Sequence, residues 1–207
     1  MINFSKLVIA TGNEKKLKEF ERLLAPLGIE VMAQSAFNVP EAPELHCTFL
    51  ENALAKARNA AWHTGLPSLA DDSGICVHAL GGNPGVNSAY YAGQHKNDAD
   101  NNAKLIADLR GNTDRSAHYT AVLALVLSEN DPEPIIAEGR WYGEVIDTPR
   151  GSGGFGYDPH FLDAELGLTG AEMALDQKGA RSHRGKALTK LITEMQQRYG
   201  GPHAGRT

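Results

Sequence analysis

Two long strand candidates constrain this chain more than any other feature. Ala117 to Leu127 and Ile135 to Ile146 both read as strands, each well beyond the usual length of about 5 or 6 residues. Between them lies Glu129-Asn130-Asp131-Pro132-Glu133-Pro134, where proline and acidic turn residues stop one strand and redirect the chain into the next. The spacing predicts a long antiparallel hairpin inside a larger sheet. Other segments supply its neighbours. Lys6 to Ala10 is a short apolar run, and after the turn Thr11-Gly12-Asn13 the residues Leu17, Phe20, Leu24 and Leu27 recur at helical spacing. Ile29 to Ala33 reads as a second strand, and 34–47 as a long loop. Thr48 with Glu51 three residues on is a capping-box start, with Leu50, Ala53, Leu54, Ala57 and Ala61 on one helical face ending near Gly65. Leu66 to Ala70 and Ile75 to Ala79 read as strands on either side of an Asp71-Asp72-Ser73-Gly74 turn, and Asp98 to Arg110 as a polar helix. A last helix carries Leu188, Leu191, Ile192, Met195 and Tyr199 on one face. Strands interleaved with helices around an antiparallel hairpin predict an α/β fold: a mixed, elongated, twisted sheet flanked by helices. The pattern is read as one domain over 1–199 with a flexible tail over 200–207.

The composition narrows the function classes. The chain has 207 residues and a formal charge of -5, which argues against a nonspecific grip on nucleic acid, whose phosphates are normally met by a basic face. Its longest apolar stretch, Ala121 to Leu127, is far short of the roughly 20 residues of a membrane helix, and Met1 to Lys6 shows no signal-peptide core. Cys47 and Cys76 stand in no ligand or disulfide spacing. A cytoplasmic protein without membrane or nucleic-acid partners is expected. The charge is unevenly spread: residues 176–207 hold seven Lys or Arg against two Asp or Glu, so the positive charge gathers toward the C-terminus.

Three places concentrate chemistry. Thr11-Gly12-Asn13-Glu14-Lys15-Lys16 joins a strand to a helix, where free N–H groups, a glycine and nearby lysines can seat a phosphate; an ordinary turn with solvated lysines explains it equally. Asp71-Asp72 offers oxygens to a hard cation such as Mg²⁺, or simply forms a capped turn, and side by side the two should point different ways. Lys178, Arg181, His183, Arg184 and Lys186 crowd the start of the last helix, where cations oppose the dipole unless an anion is present. Asn52 and Lys56 fit an exposed helix face, and Phe155 and Tyr157 fit either a core or a stack on a planar base. Two patterns fail on context. Gly151 to Gly156 matches G-x-G-x-x-G but opens no clear helix, and Gly179 to Lys186 departs from a Walker loop in spacing and lacks the hydroxyl that would reach magnesium.

Taken together, the motifs resemble the inosine triphosphate pyrophosphatase family. They are Thr11-Gly12-Asn13 with Lys16, Thr48-Phe49-Leu50-Glu51-Asn52-Ala53 with Lys56, Ala70-Asp71-Asp72-Ser73-Gly74, Gly153-Gly154-Phe155-Gly156-Tyr157-Asp158-Pro159, and Ser182-His183-Arg184-Gly185, in that order nearly end to end. The resemblance implies a two-lobed fold with a substrate cleft between the lobes. It implies a Mg²⁺-dependent hydrolase that splits inosine, deoxyinosine or xanthosine triphosphate between the α and β phosphates and works as a homodimer. By the same carry-over Thr11, Gly12, Asn13, Glu14, Lys15, Lys16 and Lys56 meet phosphates. Glu44 and Asp72 hold the metal, and Asp72 activates the attacking water. Ser73, Phe155, Gly156, Tyr157, Asp158, Lys178, His183 and Arg184 meet the substrate, the last three nearest the base. Three departures stand out: Glu44-Leu45-His46 where the family has Glu-Thr-Gly, Tyr90 in place of an arginine, and Gly179-Ala180-Arg181, whose Arg181 is a candidate to replace that lost charge. Two other readings are a pyrophosphatase for a different modified nucleotide and a nucleotide-binding regulatory module without turnover.

Overall fold

The computed structural model describes residues 4–199, so the tail expected over 200–207 lies outside the described residues. Strand β1, Lys6–Ile9, turns at Thr11-Gly12 into helix α1, Glu14–Leu24. Asn13 caps that helix, its side-chain oxygen accepting from the N–H groups of Lys15 and Lys16 and so satisfying two donors that a helix start leaves open. Strand β2, Glu30–Ala33, pairs parallel with β1. Helix α2, Phe49–Thr64, starts at Thr48, whose hydroxyl accepts from the Glu51 N–H at 3.2 Å and donates to the Glu51 carboxylate at 2.6 Å. It ends at Gly65, whose φ of 66° is the left-handed turn that suits glycine. The inward face of α2 is Asn52, Ala53, Ala57, Ala60 and Ala61, and Leu50, expected there, is 44% exposed. With Asn52 turned inward, a residue two positions away lies roughly 200° round the helix.

Strand β3 runs unbroken over Ser68–Val77, which corrects the expected strand–turn–strand. Asp71 and Asp72 carry a turn signature but are both buried in the strand. Each carboxylate meets a lysine, so the ordinary objection to an aspartate in a buried strand does not apply. Helix α3, Asp98–Asp108, is capped by Asn97. Strands β4, Ser116–Val126, and β5, Ile135–Val145, match the two long strand candidates and neighbour one another in the sheet. Strand β6, Phe161–Asp163, follows antiparallel to β5, and β7, Leu168–Thr169, antiparallel to β6. The seven strands stand in the order β2-β1-β3-β4-β5-β6-β7, and because β1 pairs parallel with both β2 and β3, the sheet is mixed as predicted.

The basic C-terminal stretch is not the start of one helix. Lys178 and Arg181 belong to a short helix α4, Leu175–Arg181, and His183 opens helix α5, His183–Tyr199. Ser182 breaks the two with extended backbone (φ -66°, ψ 158°), and its Oγ accepts from the Gly185 N–H at 3.1 Å, capping α5 as α4 ends. A Cβ on Gly185 would run into the Gly179 carbonyl, so these glycines serve close helix approach and not a phosphate loop. On α5, Leu188, Leu191 and Met195 are buried as the periodicity predicts.

The chain divides into two compact units. Among the described residues the first comprises 4–72, 122–138 and 187–199, and the second 73–121 and 139–186. In the first, Val8, Ala53, Ala57, Ala70, Val122 and Ala124 form a core of small side chains. In the second, Ile75, Leu105, Tyr119, Trp141, Tyr157 and Phe161 form a larger, aromatic one.

Candidate active site

In the first unit the chemistry is a set of lysines held by buried acids. As expected, the neighbouring aspartates of β3 part company. Asp71 pairs with Lys16 at 2.6 Å, its side chain fully shielded. Asp72 pairs with Lys56 at 2.6 Å, and the same ammonium meets Glu44 at 2.9 Å. Asn52, expected on an exposed face, is buried and bonds the His46 backbone in both directions, accepting from its N–H at 3.1 Å and donating to its carbonyl at 3.2 Å. It also donates to Asp72 at 3.4 Å. Lys56 is likewise turned inward, its side chain only 14% exposed. Because the clamp on the Glu44 loop uses the His46 backbone, the altered residues Leu45 and His46 leave it intact. Burial pushes the Asp72 carboxyl above the usual carboxylate range against the pull of Lys56, with Glu44 and Asp71 adding like charge. Burial alone would push the Lys56 ammonium down, yet Asp72 and Glu44 hold its pKa above the ordinary value.

The turn at the start of α1 is partly self-satisfied. The Asn13 N–H donates to Thr11 Oγ1 at 3.1 Å, and the N–H groups of Lys15 and Lys16 donate to Asn13 at 2.9 and 3.2 Å. These amides are engaged within the turn, so Lys16 is the cation that the turn holds beside the acids, whereas Glu14 and Lys15 stand exposed. A Cβ on Gly12 would displace the end of the exposed Glu41 side chain, which lies close over the turn.

In the second unit the chemistry is cations on an aromatic ring. The ammonium of Lys178 lies 5.1 Å from the centre of the Phe155 ring, and the guanidinium of Arg184 lies 5.7 Å from it. Arg184 donates to Ser73 Oγ at 3.0 Å, and Lys178 donates to Asp158 at 2.5 Å. Asp158 also accepts from the Phe155 N–H at 2.8 Å and closes the glycine loop. Gly154 has φ 71°, and a Cβ there would strike the Asp158 carboxylate, so the loop's glycine has a steric reason. The Tyr157 ring is buried and its hydroxyl donates to the Ser88 carbonyl at 2.7 Å, which makes it a core residue and leaves Phe155 as the ring suited to a base. Arg181 is committed elsewhere: it forks onto Asp163 with two bonds of 3.0 Å and meets Glu165 at 2.7 Å. It does not replace the arginine that Tyr90 displaces, and Lys96 lies 4.9 Å above the Tyr90 ring instead.

Several contributors carried no signal in the sequence. Asp98 accepts from the Gly156 N–H at 2.8 Å, and Asn102 donates to the Gly156 carbonyl at 2.9 Å, so α3 grips the glycine loop from both backbone sides. Tyr119 and Trp141 stack with His183.

With the geometry established, comparison with known proteins is decisive. The model of the Ham1 family matches residues 7–194. The chain belongs to the Ham1 family. Among its Ham1 relatives, the dITP/XTP pyrophosphatase of Ralstonia nicotianae is 58% identical over 193 residues, covering 92% of this chain and 96% of that protein. The dITP/XTP pyrophosphatase of Nitrosomonas europaea is 57% identical over 188 residues, covering 91% and 93%. The HAM1 protein from Coxiella burnetii superposes with a TM-score of 0.88 at 45% identity, covering 93% of this chain and 98% of the other. The Staphylococcus aureus Ham1 protein follows at 0.84 and 35% identity, covering 93% and 99%. The Ham1 assignment agrees with the family resemblance carried by the motifs and with the mixed sheet.

Proposed function

We propose that this Ham1 protein hydrolyses noncanonical purine nucleoside triphosphates, ITP, dITP and XTP, to the monophosphate and pyrophosphate. The observation that carries the reading is the division of labour in the side chains: paired lysines and acids suited to a polyphosphate in one unit, and a cation-flanked ring suited to a purine in the other. The names of the close relatives agree with it.

The fit to Mg²⁺ rests on Lys56. Glu44 and Asp72 both contact its ammonium, so the two carboxylates converge on a space that one cation already favours. Two protein carboxylates suit Mg²⁺, an ion that takes one or two and completes its shell with water and substrate phosphate. When bound there, Mg²⁺ neutralises phosphate charge and lowers the pKa of a water. Lys16 and Lys56 balance the remaining charge, which otherwise repels an attacking oxygen. Asp72 takes the proton from the water or orients it. Lys178, His183 and Arg184 meet the base: donors aimed at a 6-oxo group lose their partner against the 6-amino group of adenine, at a cost of about 1 to 3 kcal/mol for each unpaired buried group. The same reading takes the working form as a cytoplasmic homodimer acting on free nucleotides, which sedimentation of the purified chain would check. Among the described residues no helix is long and apolar enough to cross a membrane.

The decisive experiment is a panel of ITP, dITP, XTP, ATP and GTP with Mg²⁺, assayed separately for pyrophosphate and orthophosphate. Pyrophosphate release with ITP and XTP far ahead of ATP and GTP is expected. Orthophosphate release, or equal rates on all five, would overturn the reading. Preference for a pyrimidine or methylated nucleotide added to the panel would transfer it to another modified substrate.

A further inference from the structure

His183, which the proposed function assigns to the base, sits in a stack of rings. The Tyr119 ring lies parallel to the imidazole, with centroids 4.6 Å apart and planes 7° from parallel. Behind them Trp141 is nearly parallel to both, 6.0 Å from Tyr119 and 6.5 Å from His183. Phe161 meets the edges of Tyr119 and Trp141 at 4.7 and 4.8 Å. The stack is anchored, because Trp141 donates from Nε1 to Asp163 at 2.8 Å and so cannot slide along its neighbours. Tyr119 is 7% exposed and therefore is not itself a surface that a nucleotide covers. Burial keeps its hydroxyl protonated. One residue of β4 thus stacks on the start of α5 and shares its hydrophobic core with Tyr157 of the Phe155–Asp158 loop, the two segments that the proposed function assigns to the base.

We infer that Tyr119 is a positioning residue for base selection, its ring fixing the plane of the His183 imidazole. The inference rests on the proposed function for its consequence, though not for the stack itself. An imidazole joined to its backbone by two rotatable bonds would sample several rotamers. A parallel ring on a strand restricts them, and discrimination between a 6-oxo and a 6-amino group depends on donors held in one place.

The test compares kcat/KM for ITP and for ATP in the wild type, Tyr119→Leu, Tyr119→Phe, His183→Ala and the double variant Tyr119→Leu/His183→Ala. Tyr119→Leu should lower the ITP-to-ATP ratio by on the order of tenfold, mostly through KM for ITP, while Tyr119→Phe keeps the ring and holds the ratio within about twofold. In the His183→Ala background, Tyr119→Leu should lower the ratio no further, because residues acting as a unit are non-additive. An unchanged ratio in Tyr119→Leu, or additive losses in the double variant, would overturn the inference. Should Tyr119→Leu fail to melt cooperatively, Tyr119→Met takes its place.

A second readout separates this inference from the substrate reading. The Cε1–H resonance of His183, assigned by its loss in His183→Ala, should be displaced by the Tyr119 ring current in the wild type and return toward the ordinary histidine position in Tyr119→Leu. A resonance that does not move overturns the positioning role. A wild type that releases orthophosphate or shows no base preference overturns the proposed function while leaving that resonance to speak for the stack.

Discussion

The two groups of functional side chains solve opposite problems. In the first unit two lysines are met by acids, Lys16 by buried Asp71, and Lys56 by buried Asp72 and exposed Glu44. In the second, Lys178 and Arg184 face an aromatic ring, and Lys178 also meets a carboxylate. On the proposed function a triphosphate would change local charge greatly, so its lysines need partners that hold them in place before it arrives. A purine is nearly neutral and planar, and what it requires is a flat surface and fixed donors. Charge is therefore balanced pair by pair in one unit, whereas shape is fixed by packing in the other.

The largest expected effect breaks the first group. Asp72→Asn removes a carboxylate at the one point where Lys56, Glu44 and Asn52 converge, and turnover should fall by about 10²- to 10⁴-fold, the range for loss of a general base. Stability should not fall with it. Burial already pushes the Asp72 carboxyl toward its neutral form, so a neutral amide relieves a solvation cost even as it loosens Lys56. A melting temperature at or above that of the wild type, together with lost activity, is the expected pair of results. Full activity would remove Asp72 from the mechanism.

How much of this was legible in the sequence follows the same line. The helix cap at Thr48 and Glu51, the stop at Gly65 and the strand patterns of β4 and β5 are local signals, and the structure keeps all of them. Asp71-Asp72-Ser73-Gly74 misleads because turn propensity is local, while the lysines that let two aspartates sit in a buried strand come from α1 and α2. Ser182 misleads in the same way, a single residue ending one helix and capping the next inside one basic stretch. The lysines and acids of the first group could be picked out by residue type. Asn102 and Tyr119 could not, since an asparagine in a polar helix and a tyrosine in a strand acquire their roles only from distant partners.

A smaller effect tests whether the first group's pairs are structural as well as functional. Lys16→Met leaves the Asp71 carboxylate buried without its ammonium, and removing one partner of a buried pair costs about 3 to 5 kcal/mol. The lower end applies here because the Lys16 side chain keeps 17% of its surface in water. Urea denaturation should show that loss, and Lys16→Met/Asp71→Leu should recover most of it, since replacing both partners by apolar groups is nearly neutral. If the double variant is no more stable than the single one, Asp71 is held by something other than Lys16.

The smallest effect lies in the second unit and carries a pH signature. Asp163 is buried, which by itself would raise its pKa, but hydrogen bonds from Trp141, Arg181 and the Leu166 backbone N–H outweigh burial and hold it below the ordinary 3.8. A carboxylate whose pKa is lower folded than unfolded adds stability above the unfolded value and loses it as pH falls through the folded one. Asp163→Asn should therefore cost about 1.5 to 3 kcal/mol at neutral pH, the range for hydrogen bonds to a charged group. The difference from the wild type should shrink once the pH drops below about 4. Because Asp163 anchors Trp141 and so the ring stack behind His183, the variant should also soften base preference while leaving pyrophosphate as the product. A stability difference that stays constant down to pH 2 would mean that the asparagine fails through shape and not charge, and the aromatic group would then owe its order to packing alone.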